Sequence, residues 1–136
     1  MDEKCSPKKI KLFITIVDRG KGEKIVDMFK KNSIMYNLIM LGTGTAKSEI
    51  LDYLGIGETD KDLVLSVVKE EDIEKVMNQL KDKMQLKKPG NGIAFTIPIN
   101  SIDSIYSLEY ICSLIGGKKE WLYGNWKKLW FDNYNS

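Results

Sequence analysis

A chain of 136 residues, 43% hydrophobic and with a formal net charge of +2, reads as one globular domain with a real core. So small a charge does not argue for nucleic acid or a membrane surface as partner. The absence of histidine removes the usual general base, the commonest metal ligand and every Ser-His or Cys-His nucleophile pair.

After a charged tail (residues 1–8), "KIKLFITIVD" (9–18) alternates and is rich in β-branched residues, which predicts a strand. "RGKG" breaks it, and "EKIVDMFKKNSI" places Ile25, Val26 and Phe29 on one helical face. "YNLIMLG" is a second strand. It stops at Gly42-Thr43-Gly44-Thr45, and "AKSEILDYLG" then has the pattern of a short helix that Thr45 would cap. "DLVLSVVK" (62–69) is a third strand, preceded by "GETDKD", whose Glu58, Asp60 and Asp62 read as a solvated acidic lead-in. "EEDIEKVMNQLKDKM" spaces Ile73, Val76, Met77, Leu80 and Met84 as a helix, with acids in its first turn where the helix dipole favours them. "KKPGNG" is a turn into a fourth strand, "IAFTIPI", whose Pro98 suggests a sheet edge or strand end.

The order β-α-β, loop, β-α-β predicts an α+β fold, the ferredoxin-like βαββαβ sandwich, over residues 9–100. A C-terminal aromatic and basic extension (101–136) follows, expected to pack on the body or on a neighbouring subunit. Both faces of the third strand are apolar, with Leu63, Leu65 and Val67 opposite Val64 and Val68. In the first strand Phe13 and Val17 oppose Leu12, Ile14 and Ile16. Helices cover one face of such a sheet, so the other needs a cover, from oligomerisation (the preferred reading) or from the C-terminal segment.

All three tryptophans lie in that segment among Lys118, Lys119, Lys127 and Lys128, and packing with the lysines turned to water is the simplest reading. The two cysteines, Cys5 and Cys112, have no metal-ligand spacing and suggest no disulfide framework. The start "MDEKCSPKK" lacks the apolar core of a signal peptide, and a cytoplasmic location is expected.

Two glycine loops are the candidate site. "GTGTAKS" fails as a Walker loop, because Ala46 and Leu41 stand where its glycines belong. It fails as a dinucleotide fingerprint too, with Lys47 in the third glycine's place. What remains is Gly42 and Gly44, which permit close backbone approach, Thr45 as a cap, and Lys47 as a point charge. The structural alternative is an ordinary strand-to-helix turn. The second loop carries Lys87, Lys88, Gly90, Asn91 and Gly92, and alone is a common tight turn. In the ferredoxin-like order these loops leave the two edge strands, so they converge only across a subunit boundary. "DRGKGEK" (18–24) holds Arg19, the one arginine among 21 basic residues, and reads as a plain helix start or a further anion contact. No nucleophile stands beside a base and no hard-ligand spacing recurs, so neither an enzyme nor a metal site is expected.

These residues resemble the PII signal-transduction family (nitrogen regulatory protein P-II), in a divergent branch, from Lys9 to Ile99. "MYNLIMLGTGTA" is similar to the family's second strand entering the base of its T-loop, and "KPGNGIAFTIPI" to its B-loop and last core strand. The resemblance implies a cytoplasmic homotrimer that binds an adenine nucleotide in clefts between subunits and docks the loop, here 42–60, on a regulated partner protein such as a membrane transporter. No required cofactor and no nucleic-acid partner is implied.

By the same resemblance Gly42 and Gly44 match the T-loop base, and Gly90 and Gly92 the B-loop, with Asn91 replacing an acid. Thr45 and Ile93 stand where the family has basic residues, and no arginine follows the fourth strand. Each such cation would have supplied roughly 1.5–3 kcal/mol of phosphate contact, leaving Lys47, Lys87, Lys88 or Arg19 to compensate. The alternative reading is a non-sensing trimer that docks constitutively on a transporter.

Overall fold

The computed structural model describes residues 6–45, 60–88 and 90–115. The elements run β1 (Ile10–Asp18), α1 (Gly22–Lys31), β2 (Asn37–Thr43), β3 (Asp60–Lys69), α2 (Ile73–Met84), β4 (Ile93–Pro98) and α3 (Ile105–Leu114). The strands form one antiparallel sheet in the order β2-β3-β1-β4, so β2 and β4 are its edges. The ferredoxin-like sandwich expected from the sequence is therefore present.

Register explains the two-sided strands. Phe13 lies opposite Ser66, Thr15 opposite Val64, and Val17 opposite Asp62. These positions share the face on which α1 and α2 lie. There Ile25, Met28 and Phe29 of α1 meet Val76 and Leu80 of α2 over Phe13, Val17, Val64 and Val68. Phe13 and Phe29 pack edge to face, ring centroids 5.3 Å apart. Buried polar groups in this layer are mostly matched. The Ser66 hydroxyl donates to Asn37 Oδ1 at 2.7 Å, and Asn37 Nδ2 donates to the Ile34 carbonyl at 2.8 Å. The Thr15 hydroxyl, fully buried, has no partner.

The opposite face carries Leu12, Ile14, Ile16, Leu63 and Leu65 in its centre and Leu38, Met40, Ile93, Phe95 and Ile97 on its edges. α3 covers one end of it. Ser104 caps that helix by accepting from the Ser107 amide, and Leu108 and Ile115 close over Ile10 and Val67. The Met35 amide donates to the Leu114 carbonyl at 2.9 Å and holds the end of α3 beside the start of β2. No other described element covers this face: its centre is half-buried, and on its edges Leu38 is 51% and Ile93 57% exposed. Cys112, on α3, is disulfide-bonded, a cross-link that the sequence reading did not expect.

β4 seats itself on β1 through Gly92. Its φ is +125°, and a Cβ there would lie 2.6 Å from the Ile16 carbonyl oxygen and 2.9 Å from Val17 Cγ1. Gly92→Ala should destabilise the fold by about 2 kcal/mol or more in denaturant unfolding, through strain and the displaced strand. Thr15→Val, which keeps the shape and removes the unpartnered hydroxyl, should stabilise by about 1 kcal/mol. A Tm several degrees higher is the expected reading, and a lower one would mean that the hydroxyl is bonded.

Candidate functional site

β1 and β2 finish, and β3 and β4 begin, at one end of the sheet. Thr43 lies opposite Asp60, Asp18 opposite Lys61, and Ile16 opposite Ile93. The turn from β1 into α1 passes over the same end. Asp62 is the pivot. It belongs to β3, is 4% exposed, and its Oδ2 accepts from the amides of Gly20 at 2.9 Å and Gly22 at 3.0 Å. The first turn of α1 thus finds its anion inside the chain, where unsatisfied N–H groups and the helix dipole favour a negative charge. Gly22 is required by closeness, since a Cβ there would lie 2.9 Å from Asp62 Oδ2, and Gly20 by its φ of +92°.

Arg19 completes the arrangement. Its Nε lies 3.4 Å from Asp62 Oδ1, and Nη1 is 4.0 Å from Asp60 Oδ2. Its Nη2 reaches across β3 and donates to the carbonyls of Gly42 at 2.9 Å and Lys61 at 3.2 Å. Lys61 pairs with Asp18. The acidic lead-in expected to be solvated is therefore part of β3 at Asp60 and Asp62, and Asp62 is buried because it caps α1; Glu58 lies outside the described residues. Arg19, a possible anion contact in the sequence reading, spends its guanidinium on its own chain.

The other predicted site residues fall into three groups. Gly42 is the penultimate residue of β2, and a Cβ there would meet nothing within 4 Å, so neither crowding nor a positive φ within one chain demands a glycine. Gly44 and the exposed Thr45 follow it, whereas Lys47 and the helix that Thr45 would cap lie outside the described residues. The second loop is held from within. Asn91 Nδ2 donates to the Gln85 carbonyl at 3.1 Å, its amide donates to Lys88, and Gly90 has φ +88°. Asn91 and Gly92 thus close α2 onto β4, while Lys87 and Lys88 are exposed and make no ion pair among the described residues.

Gly42 and Gly92 share an end of the sheet but sit on opposite edges. Three strand spacings separate them, roughly 14 Å. Sequence reasoning missed the buried role of Asp62, although Gly20-x-Gly22 before a helix was the signal that an anion belonged there. Among the described residues no group of three or more His, Cys, Asp or Glu could hold a metal ion, and no helix is long and apolar enough to cross a membrane.

No family model matches the sequence, and no curated protein matches it. Solved structures do match its fold. PII from Arabidopsis thaliana bound to citrate is 18% identical over 74% of this chain and 84% of that one, with a TM-score of 0.55. CPII from Thiomonas intermedia, a nitrogen regulatory PII-like protein bound to ADP, AMP and bicarbonate, is 15% identical over 71% and 96%, with a TM-score of 0.53. CutA1 from Oryza sativa is 11% identical over 83% and 100%, with a TM-score of 0.57. At such identities the likeness is one of fold: this chain has the ferredoxin-like architecture found in PII-like signalling proteins and in CutA1.

Proposed function

We propose that this chain is a PII-like regulator that assembles as a homotrimer through the uncovered sheet face. It senses a small anion, first among them an adenine nucleotide, in the clefts between subunits. Ligand there would reorder residues 42–60 and change the surface offered to a partner protein, a membrane transporter being one such partner. The observation that carries this reading is the incompleteness of the site in one chain. Two glycine loops end on opposite edges of a sheet whose apolar face is uncovered between them. A neighbouring copy would bury that face and bring one chain's "GTG" to another's "PGNG". The family resemblance supplies the nucleotide, and the CPII structure, a complex with ADP and AMP, is an instance of that chemistry on this fold.

In this reading the ligand binds through Gly42, Gly44 and Thr45 of one subunit and Lys87, Lys88 and Gly90 of the next, with Lys47 adding charge. Asn91 and Gly92 shape the loop rather than contact the ligand. The constitutive trimer without a ligand is favoured by one fact: Arg19, the only arginine, is already bonded within the chain.

Calorimetry with ATP, ADP and AMP separates the two. Binding by at least one nucleotide is expected, weakened at least tenfold, about 1.4 kcal/mol, by joint replacement of Lys87 and Lys88 with alanine. No heat with any nucleotide, at protein concentrations that detect millimolar affinity, would leave only the constitutive reading. For assembly, sedimentation should show a trimer for the unmodified chain and a smaller species for Phe95→Glu, which places a charge on the uncovered face.

A further inference from the structure

The contacts of Arg19 do more than neutralise charge. Gly42 and Lys61 are cross-strand partners at the end of the β2–β3 ladder, one just before and one just after the 44–59 connection. A single guanidinium nitrogen donates to both of their carbonyls. Nε also donates toward the Lys61 carbonyl at 3.4 Å, and the Arg19 amide donates to the Asp60 carbonyl at 3.3 Å. Arg19 does not sit on either of these strands. It lies in the turn between β1 and α1, on the far side of β3 from β2. The carboxylate that orients it, Asp62, is the one that accepts from the Gly20 and Gly22 amides at the head of α1. One chain of contacts therefore runs from the first turn of α1 through Asp62 and Arg19 to both ends of the 44–59 connection.

We propose that Asp62 and Arg19 form a coupler that fixes the stem of the β2–β3 connection to the N-terminus of α1. Arg19 is a positioning residue: one nitrogen of its planar fork reaches two carbonyls while the other two face the carboxylates of Asp62 and Asp60, a geometry that a lysine ammonium at the end of a flexible stem does not reproduce. A shift of α1 moves Asp62 because Gly22 is packed directly against that carboxylate. The shift passes to Arg19 and thence to Gly42. The coupler needs no ligand, so it stands or falls apart from the proposed nucleotide site.

Hydrogen exchange on the full chain without nucleotide tests it. Arg19→Gln should speed exchange of the stem amides (residues 40–45 and 60–62) at least tenfold while the amides of α2 (Ile73–Met84) keep their protection. Arg19→Lys should behave like the glutamine variant. Asp62→Asn retains an oxygen for the Gly20 and Gly22 amides but loses the charge that orients Arg19. It should speed stem exchange at least threefold with the first turn of α1 still protected. Stem exchange unchanged in either Arg19 variant overturns the proposal. So does exchange that rises equally in α2, which would mark a general loss of stability, and so does an Asp62→Asn stem indistinguishable from the unmodified one.

Discussion

The arrangement at the loop end of the sheet depends on one buried carboxylate. Asp62 is buried on an inner strand near the end of the sheet, where an unpaired charge would cost several kcal/mol. It is tolerated because two amides at the head of α1 and the Arg19 guanidinium surround it. Each partner is constrained in turn. Gly22 has no room for a side chain, Gly20 adopts a left-handed φ, and Arg19 is held across β3. The first turn of α1 and the turn that precedes it meet this carboxylate directly, and the end of β2 meets it through Arg19.

The same arrangement bears on function. A helix N-terminus preceded by glycines, with an arginine beside it, is a common way to hold a phosphate. Here that capacity is taken up by the protein itself. The cations of the two candidate loops are Lys87 and Lys88 on the second and Lys47 beyond the described part of the first. They are point charges without the bidentate geometry of arginine. In the reading proposed above, the anion site would be assembled from backbone and lysine, between copies of the chain. That favours ligands bound weakly and exchanged quickly.

Much of the fold was legible because the strands declare both faces. Phe13 and Val17 alternate with Leu12, Ile14 and Ile16, and the register puts those sets on opposite sides of the sheet. The helices were legible from the spacing of Ile25 and Phe29 and of Val76 and Leu80, all buried in the core. The site was legible only in outline. Close approach was expected at Gly42 and Gly44, yet a Cβ at Gly42 would meet nothing within 4 Å; the crowded glycines are Gly22 and Gly92, of which Gly92 serves the packing of β4 on β1, and Asn91 braces the end of α2. Asp62 was misjudged because its acidic neighbours make it look solvated. Its burial follows from the pairing of β3 with β1, a contact between residues some forty positions apart that local pattern does not contain. The share of the second face taken by α3 was likewise open, because Leu108 and Ile115 lie in a segment with few polar breaks and no clear helical stripe.

β2 has a consequence for how the protein behaves in a crowded cell. Residues Leu38 to Leu41 are four consecutive large apolar side chains on an edge strand, all exposed, with Leu41 71% exposed. No charge or proline guards that edge, the usual protection against strand-on-strand growth. The remedy available to a single chain is to be covered by another. In such an assembly the stability of the folded state would rise with protein concentration. In the trimer proposed above a copy left alone would present an adhesive border, so assembly, rather than a tougher core, would be what guards this protein against aggregation.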